Sequence, residues 1–116
     1  CKIWLYKCGV IFIRYYKDLI VEDNIDIIKA KELFSQGISL FNVYAICVSS
    51  KTNGLMEIMS TENLLKEVNS YGNYGIIALV KGRNKARKKS IRLIENWLVT
   101  HSDLTGFKSH YNQNSF

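Results

Sequence analysis

Hydrophobic and polar residues follow two different periods along this chain, and the switches between them mark its elements. Ile3 to Tyr6 and Val10 to Tyr16 are β-branched and aromatic, with a break at Cys8-Gly9, and read as extended structure. Leu19 to Val21 reads as a short further strand after a Lys17-Asp18 turn. The period then changes to that of a helix: Ile27, Ala30, Leu33 and Phe34 recur on one face, with Asp23 as the expected N-cap, Asp26 in the first turn and Gly37 as the stop. Val43 to Val48 and Leu55 to Met59 flank Asn53-Gly54, the pair favoured in a two-residue hairpin turn with positive φ. Ser60 caps a helix over about 61–71, with Leu64, Leu65 and Val68 inward and Gly72 at its end.

Gly75 to Val80 is almost wholly apolar and of strand length, as for a strand buried on both faces. The strand, helix and strand between Leu55 and Val80 form a crossover unit, which favours a parallel arrangement. A last helix runs from about Lys85 to Thr100. The order is ββαββαβα, which predicts an α+β fold: a small mixed sheet of four to six strands with about three helices packed on it. The division expected is one domain over 1–104 and a polar tail over 105–116, docked or paired as a late edge strand, with Phe107 and Tyr111 as anchors.

Composition fits this picture. The chain has 116 residues, 47% apolar and 22% charged, with no proline, enough for one core and not two. No stretch approaches the roughly 20 apolar residues that cross a bilayer. With no signal-peptide pattern visible, no membrane association and a cytoplasmic location are the expectation. Cys1, Cys8 and Cys47 form no C-x-x-C pair, and Cys8 and Cys47 read as small buried hydrophobes in strands.

Charge changes the picture more. The formal net charge is +6, yet residues 1–69 hold eight basic and eight acidic residues and sum to zero. Residues 70–116 hold eight basic against two acidic, which supplies the whole excess. Lys81, Arg83, Lys85, Arg87, Lys88, Lys89 and Arg92 follow one another with no acid between them. They leave a buried strand and enter a helix, with Asn84 as the expected N-cap. The unpaired N–H groups there carry partial positive charge, so cations in the first turn cost about 0.3–1 kcal/mol each. A bound phosphate or carboxylate reverses that conflict by taking the N–H groups, the dipole and the basic side chains together. A solvated basic face opposite Ala86, Leu93, Ile94 and Trp97 explains the same residues with no ligand at all. Lys81-Gly82-Arg83-Asn84-Lys85 is neither a G-x-x-x-x-G-K-[ST] loop nor a G-x-G-x-x-G fingerprint, which argues against nucleotide hydrolysis.

Other chemistry is thinner. Trp4, Tyr6, Phe12, Tyr15 and Tyr16 could stack on bases only if one face were exposed, and core packing accounts for them more simply. His101 is placed to cap the last helix; with Asp103 it makes half of a catalytic or metal pair that lacks a third partner, and His110 supports no inference. Glu57 belongs on the open face of the sheet, across from a lysine. Met56 and Met59 suggest an adaptable surface for a homodimer.

The residues therefore point to a non-enzymatic accessory or binding domain with no cofactor, no metal site and no catalytic set. Its partner would be nucleic acid, held through phosphates, or an acidic protein. The anion-contacting set would be Lys81, Arg83, Asn84, Lys85, Arg87, Lys88, Lys89 and Arg92. The rival is a structural or protein-interaction module, and an enzyme acting on a small phosphorylated or carboxylated ligand comes third.

Overall fold

The computed structural model describes residues 13–49, 53–71 and 74–116. Its elements are β1 (Arg14–Val21), α1 (Ile27–Ser35), β2 (Val43–Val48), β3 (Glu57–Ser60), α2 (Thr61–Tyr71), β4 (Gly75–Lys81), α3 (Arg83–Thr100) and α4 (Phe107–Gln113). The four strands form one mixed sheet in the order β1-β4-β2-β3. β1 runs parallel to β4, while β2 is antiparallel to both β4 and β3. This is the small α+β fold expected, though the described residues hold four helices where about three were expected, and the element order differs slightly. The first expected strand, Ile3 to Tyr6, lies outside the described residues.

The sheet divides the core in two. Ala30 and Phe34 of α1 and Leu64, Leu65 and Val68 of α2 cover one face, on Val43, Ala45, Cys47, Ile76 and Leu79. Ala86 and Leu93 of α3 and Phe107 of α4 cover the other, on Ile46, Val48, Ile77, Ala78 and Val80. Helices on both faces explain why β4 is apolar at nearly every position. Ile46 pairs with Ala78 and Cys47 with Ile76, leaving Ile77 as the extra residue of a bulge. That bulge puts Ile77 and Ala78 on the same face.

Several local expectations need correction. Lys17 and Asp18 make no turn: β1 continues through them, and its pairing with β4 slips between Tyr15 and Ile20. Four residues of β1, from Tyr16 to Leu19, stand against the single Ile77 of β4, so the ladder is interrupted and the two charged residues lie exposed within the strand. Asp26 rather than Asp23 caps α1, its carboxylate accepting from the Lys29 N–H at 3.2 Å. Burial decides between them, because capping at Asp26 sends Ile25 and Ala30, on either side of the cap, into the same core. At the other end Gly37, at φ 78°, closes α1 as expected, with Gly37 N–H on Phe34 O and Ile38 N–H on Leu33 O.

The hairpin of β2 and β3 exists, but Asn53-Gly54 is not its two-residue turn. That turn would set Thr52 against Leu55, whereas Cys47 lies opposite Glu57 and Tyr44 opposite Ser60. Gly54 does not take the positive φ that the turn requires. Leu55 and Met56 are drawn instead into the core beside Ile58, which lengthens the connection. Glu57 faces Cys47 across the ladder and not a lysine. Met56 and Met59 pack on opposite faces of the sheet and share no surface.

Residues 105–116 are tightly docked. Phe107 is fully buried, and Tyr111 packs on the same cluster. Beyond α4 the chain returns to β1, where Tyr15 and Phe116 exchange backbone hydrogen bonds of 2.9 and 2.8 Å and Lys17 N–H donates to Asn114 O. Both expected anchors are in place, with a helix ahead of the strand-like end.

Candidate functional site

The basic segment begins where β4 ends. Gly82 still belongs to the sheet through its N–H, which donates to Asn42 O at 2.8 Å, and its carbonyl accepts the Ala86 N–H that opens α3. Gly82, and not Asn84, is therefore the N-cap, at φ 87° and ψ 139° with no side-chain cap. A glycine at this backbone angle lets strand pass to helix with no linker, so the cap falls two residues earlier than the side-chain preference of asparagine suggests.

Starting the helix at Arg83 fixes which cations lie together. Lys85, Lys88, Lys89 and Arg92 stand at i, i+3, i+4 and i+7, on one face. They line one side of a groove of about 430 Å³, with Asn96 one turn further on. Ile20, Val21 and Glu22 of the β1 end and Val80 of β4 complete it. The groove exists because α3 packs over β4, β2 and β3, leaving its β1 side open. Its floor is apolar and its rim cationic.

The other expected residues are placed elsewhere. Arg83 and Arg87 are about 160° around the helix from Lys85. Lys81 lines a different cleft, of about 290 Å³, with Ile25, Asp26, Lys29, Leu40 and Phe41. Asn84 is exposed in the first turn and does not line the groove. The segment of seven cations thus resolves into a group of four and three separate ones.

Glu22 is the residue that sequence reasoning missed. Its Oε1 accepts from Lys85 Nζ at 2.9 Å, and its Oε2 accepts from the Lys81 backbone N–H at 2.6 Å. The Glu22 side chain is only 20% exposed, while Lys85 is 66% exposed. The hydrogen bond from Lys85, and after it that from Lys81 N–H, hold the Glu22 carboxyl below its usual range. The first turn of α3 contains no acid of its own, so this carboxylate supplies one from 63 residues away along the chain from Lys85. No spacing rule reaches that far. Asn96, by contrast, was open to a helical wheel extended one turn past Arg92.

Lys85 is thereby neutralised by a carboxylate from the first half of the chain. Among the described residues, no ion pair engages Lys88, Lys89 or Arg92. Part of the conflict between cations and helix dipole is accordingly settled within the protein, and three cations of the groove remain uncompensated.

A second polar cluster lies at the far end of α3. His101 is its C-cap, as expected; the backbone N–H donates to Trp97 O, and the ring stacks on Trp97 at 3.7 Å. Tyr16 Oη and His110 Nε2 lie 3.1 Å apart beside Trp97 and Tyr111, so His110 joins α4 to β1. Burial first, then the charge of Asp18, raises the Tyr16 phenol. Tyr15 and Tyr16 go to opposite cores and present no common stacking face. Burial, followed by the Glu57 charge, raises the Cys47 thiol far out of the reactive range. Among the described residues no three potential metal ligands come together, and no helix is long and apolar enough to cross a membrane.

Comparison of the chain with models of protein families, with curated proteins and with solved structures finds no match.

Proposed function

We propose that this chain is a binding domain for polyanions, with nucleic acid the leading class, and that the groove between α3 and the end of β1 is where the phosphates lie. The observation that carries the reading is the sharing of one groove by Lys88, Lys89 and Arg92, all without a carboxylate partner among the described residues, beside the neutralised Lys85. Cations on one helix face meet successive phosphates without reading base edges, so the binding would be strong in salt dependence and weak in sequence preference. The apolar floor of Ile20, Val21 and Val80 adds contact for sugar or base. Arg83 and Arg87, turned away, belong to the surrounding field rather than to the contact set.

Binding of a fluorescent single-stranded oligonucleotide, titrated against salt, tests this. The logarithm of the association constant should fall linearly with the logarithm of salt concentration, with a slope near −0.7 per phosphate contact. Lys88→Gln, Lys89→Gln and Arg92→Gln should each flatten the slope by about 0.7, and Arg83→Gln should leave it nearly unchanged. Absence of binding at low salt, or indifference to Arg92→Gln, would reject the proposal.

A second reading is favoured by a separate observation. Phe41 is 98% exposed, and Ile91 and Leu98 lie exposed at i and i+7 along α3, as in a surface that meets another protein. A protein-interaction module would show a mass above that of one chain in light scattering, lowered by Ile91→Lys, with no salt-dependent oligonucleotide binding.

A further inference from the structure

We infer that Glu22 is the residue that selects the kind of anion the groove accepts: it occupies the Lys81 N–H and the Lys85 ammonium, the donors a single phosphate would use beside the start of α3, so that only a chain carrying several phosphates is held. This rests on the polyanion reading above. It adds the internal competitor and the ligand class that follows from it.

A lone phosphate is held well where backbone N–H groups and cations converge. A helix start combines free N–H groups, the positive end of the dipole and nearby cations, and together these seat a lone phosphate. Just ahead of α3 the last N–H of β4, at Lys81, and the Lys85 ammonium form a pair of donors of this kind, and both are bonded to the two oxygens of Glu22, at 2.6 and 2.9 Å. A carboxylate therefore already holds the two donors that a phosphate would use there. A phosphate approaching Lys85 meets a negative charge at hydrogen-bond distance from its target, and like charges at that range repel.

What Glu22 leaves open is Lys88, Lys89 and Arg92. Each is a side chain at the protein surface, and single exposed ion pairs are weak. One phosphate touching one of them gains little. Several phosphates tethered on one polymer gain the sum, because after the first contact the others form at high effective concentration. The acidic end at Glu22 also gives the groove a direction, with the polymer running from Lys88 towards Arg92 and Asn96.

The test compares four proteins by salt titration with a single-stranded oligonucleotide: the natural chain, Glu22→Gln, Lys85→Gln and the double variant. Glu22→Gln should steepen the slope by about 0.7, the share of one newly available cation. Lys85→Gln alone should leave the slope unchanged, and in the Glu22→Gln background it should restore the natural value. Inorganic phosphate, at ionic strength matched with chloride, should displace the oligonucleotide from the natural chain no better than chloride does. An unchanged slope in Glu22→Gln, a loss of about 0.7 in Lys85→Gln alone, or specific displacement by phosphate would each overturn the role of Glu22 while leaving the groove itself standing. Failure of both the natural chain and Glu22→Gln to bind would overturn the groove as well. Because Lys85 is largely exposed, its variant tests the idea even if Glu22→Gln folds poorly.

Discussion

Gly82 and Glu22 together build the junction from which α3 starts. Gly82 sits at φ 87° and ψ 139°, and a Cβ added there would meet no atom within 4 Å other than those of its chain neighbours. The obstacle to a side chain is thus backbone strain and not crowding. Gly82→Ala should cost about 1–3 kcal/mol, read as a lower denaturation midpoint with an unchanged m-value. Glu22 contributes through its charge. Its folded carboxyl titrates below the ordinary value of 4.5, so its stabilising effect is complete above that pH and is lost as the pH falls through the depressed value. The melting temperature of Glu22→Gln should accordingly lie below that of the natural chain at neutral pH, and the two should converge in acid. A gap that persists at pH 2 would show that packing, and not charge, is what the substitution removes.

Two elements owe their positions to single buried contacts. Thr61, fully buried at the start of α2, donates its hydroxyl to Leu40 O at 2.8 Å and accepts the Leu40 N–H at 3.0 Å. It ties the connection between α1 and β2 to α2. Phe107 does the equivalent for α4, with its ring against Trp97 and Tyr111 and no exposed surface. Phe107→Ala should destabilise the protein by about 3–5 kcal/mol, measured by urea denaturation. It should also release the C-terminal residues from β1, seen as faster hydrogen exchange at Tyr15 and Phe116, whose N–H groups now pair across the two segments. Gly75 belongs to the same arrangement: a Cβ there would come within 2.7 Å of Ser115 Oγ, so the close return of the chain end needs a glycine in β4.

Across the whole molecule, the types of the elements up to α3 are legible in consecutive residues, because each rests on neighbours a few positions apart; α4 is not, since its polar stretch reads as a tail or edge strand. The all-apolar Gly75–Val80 run meant a strand covered on both sides, Gly37 meant the end of α1, and Ser60 meant the start of α2, where its Oγ accepts the Asn63 N–H. The concentration of positive charge after residue 80 was equally plain. Tertiary structure decided the rest, because those choices turn on energies that local residues share almost equally. Asp23 and Asp26 are comparable caps, and only the burial of Ile25 separates them. Asn53-Gly54 has the right turn chemistry, but burying Leu55 and Met56 outweighs it. The composition of the groove was beyond local reading for the same reason. Helical spacing collects Lys85, Lys88, Lys89 and Arg92, whereas pairing β1 beside β4 is what brings Glu22 to Lys81 and Lys85 and leaves the other three cations without a carboxylate among the described residues. Short-range preference is written in consecutive residues; charge balance at a site depends on which distant strand arrives beside it.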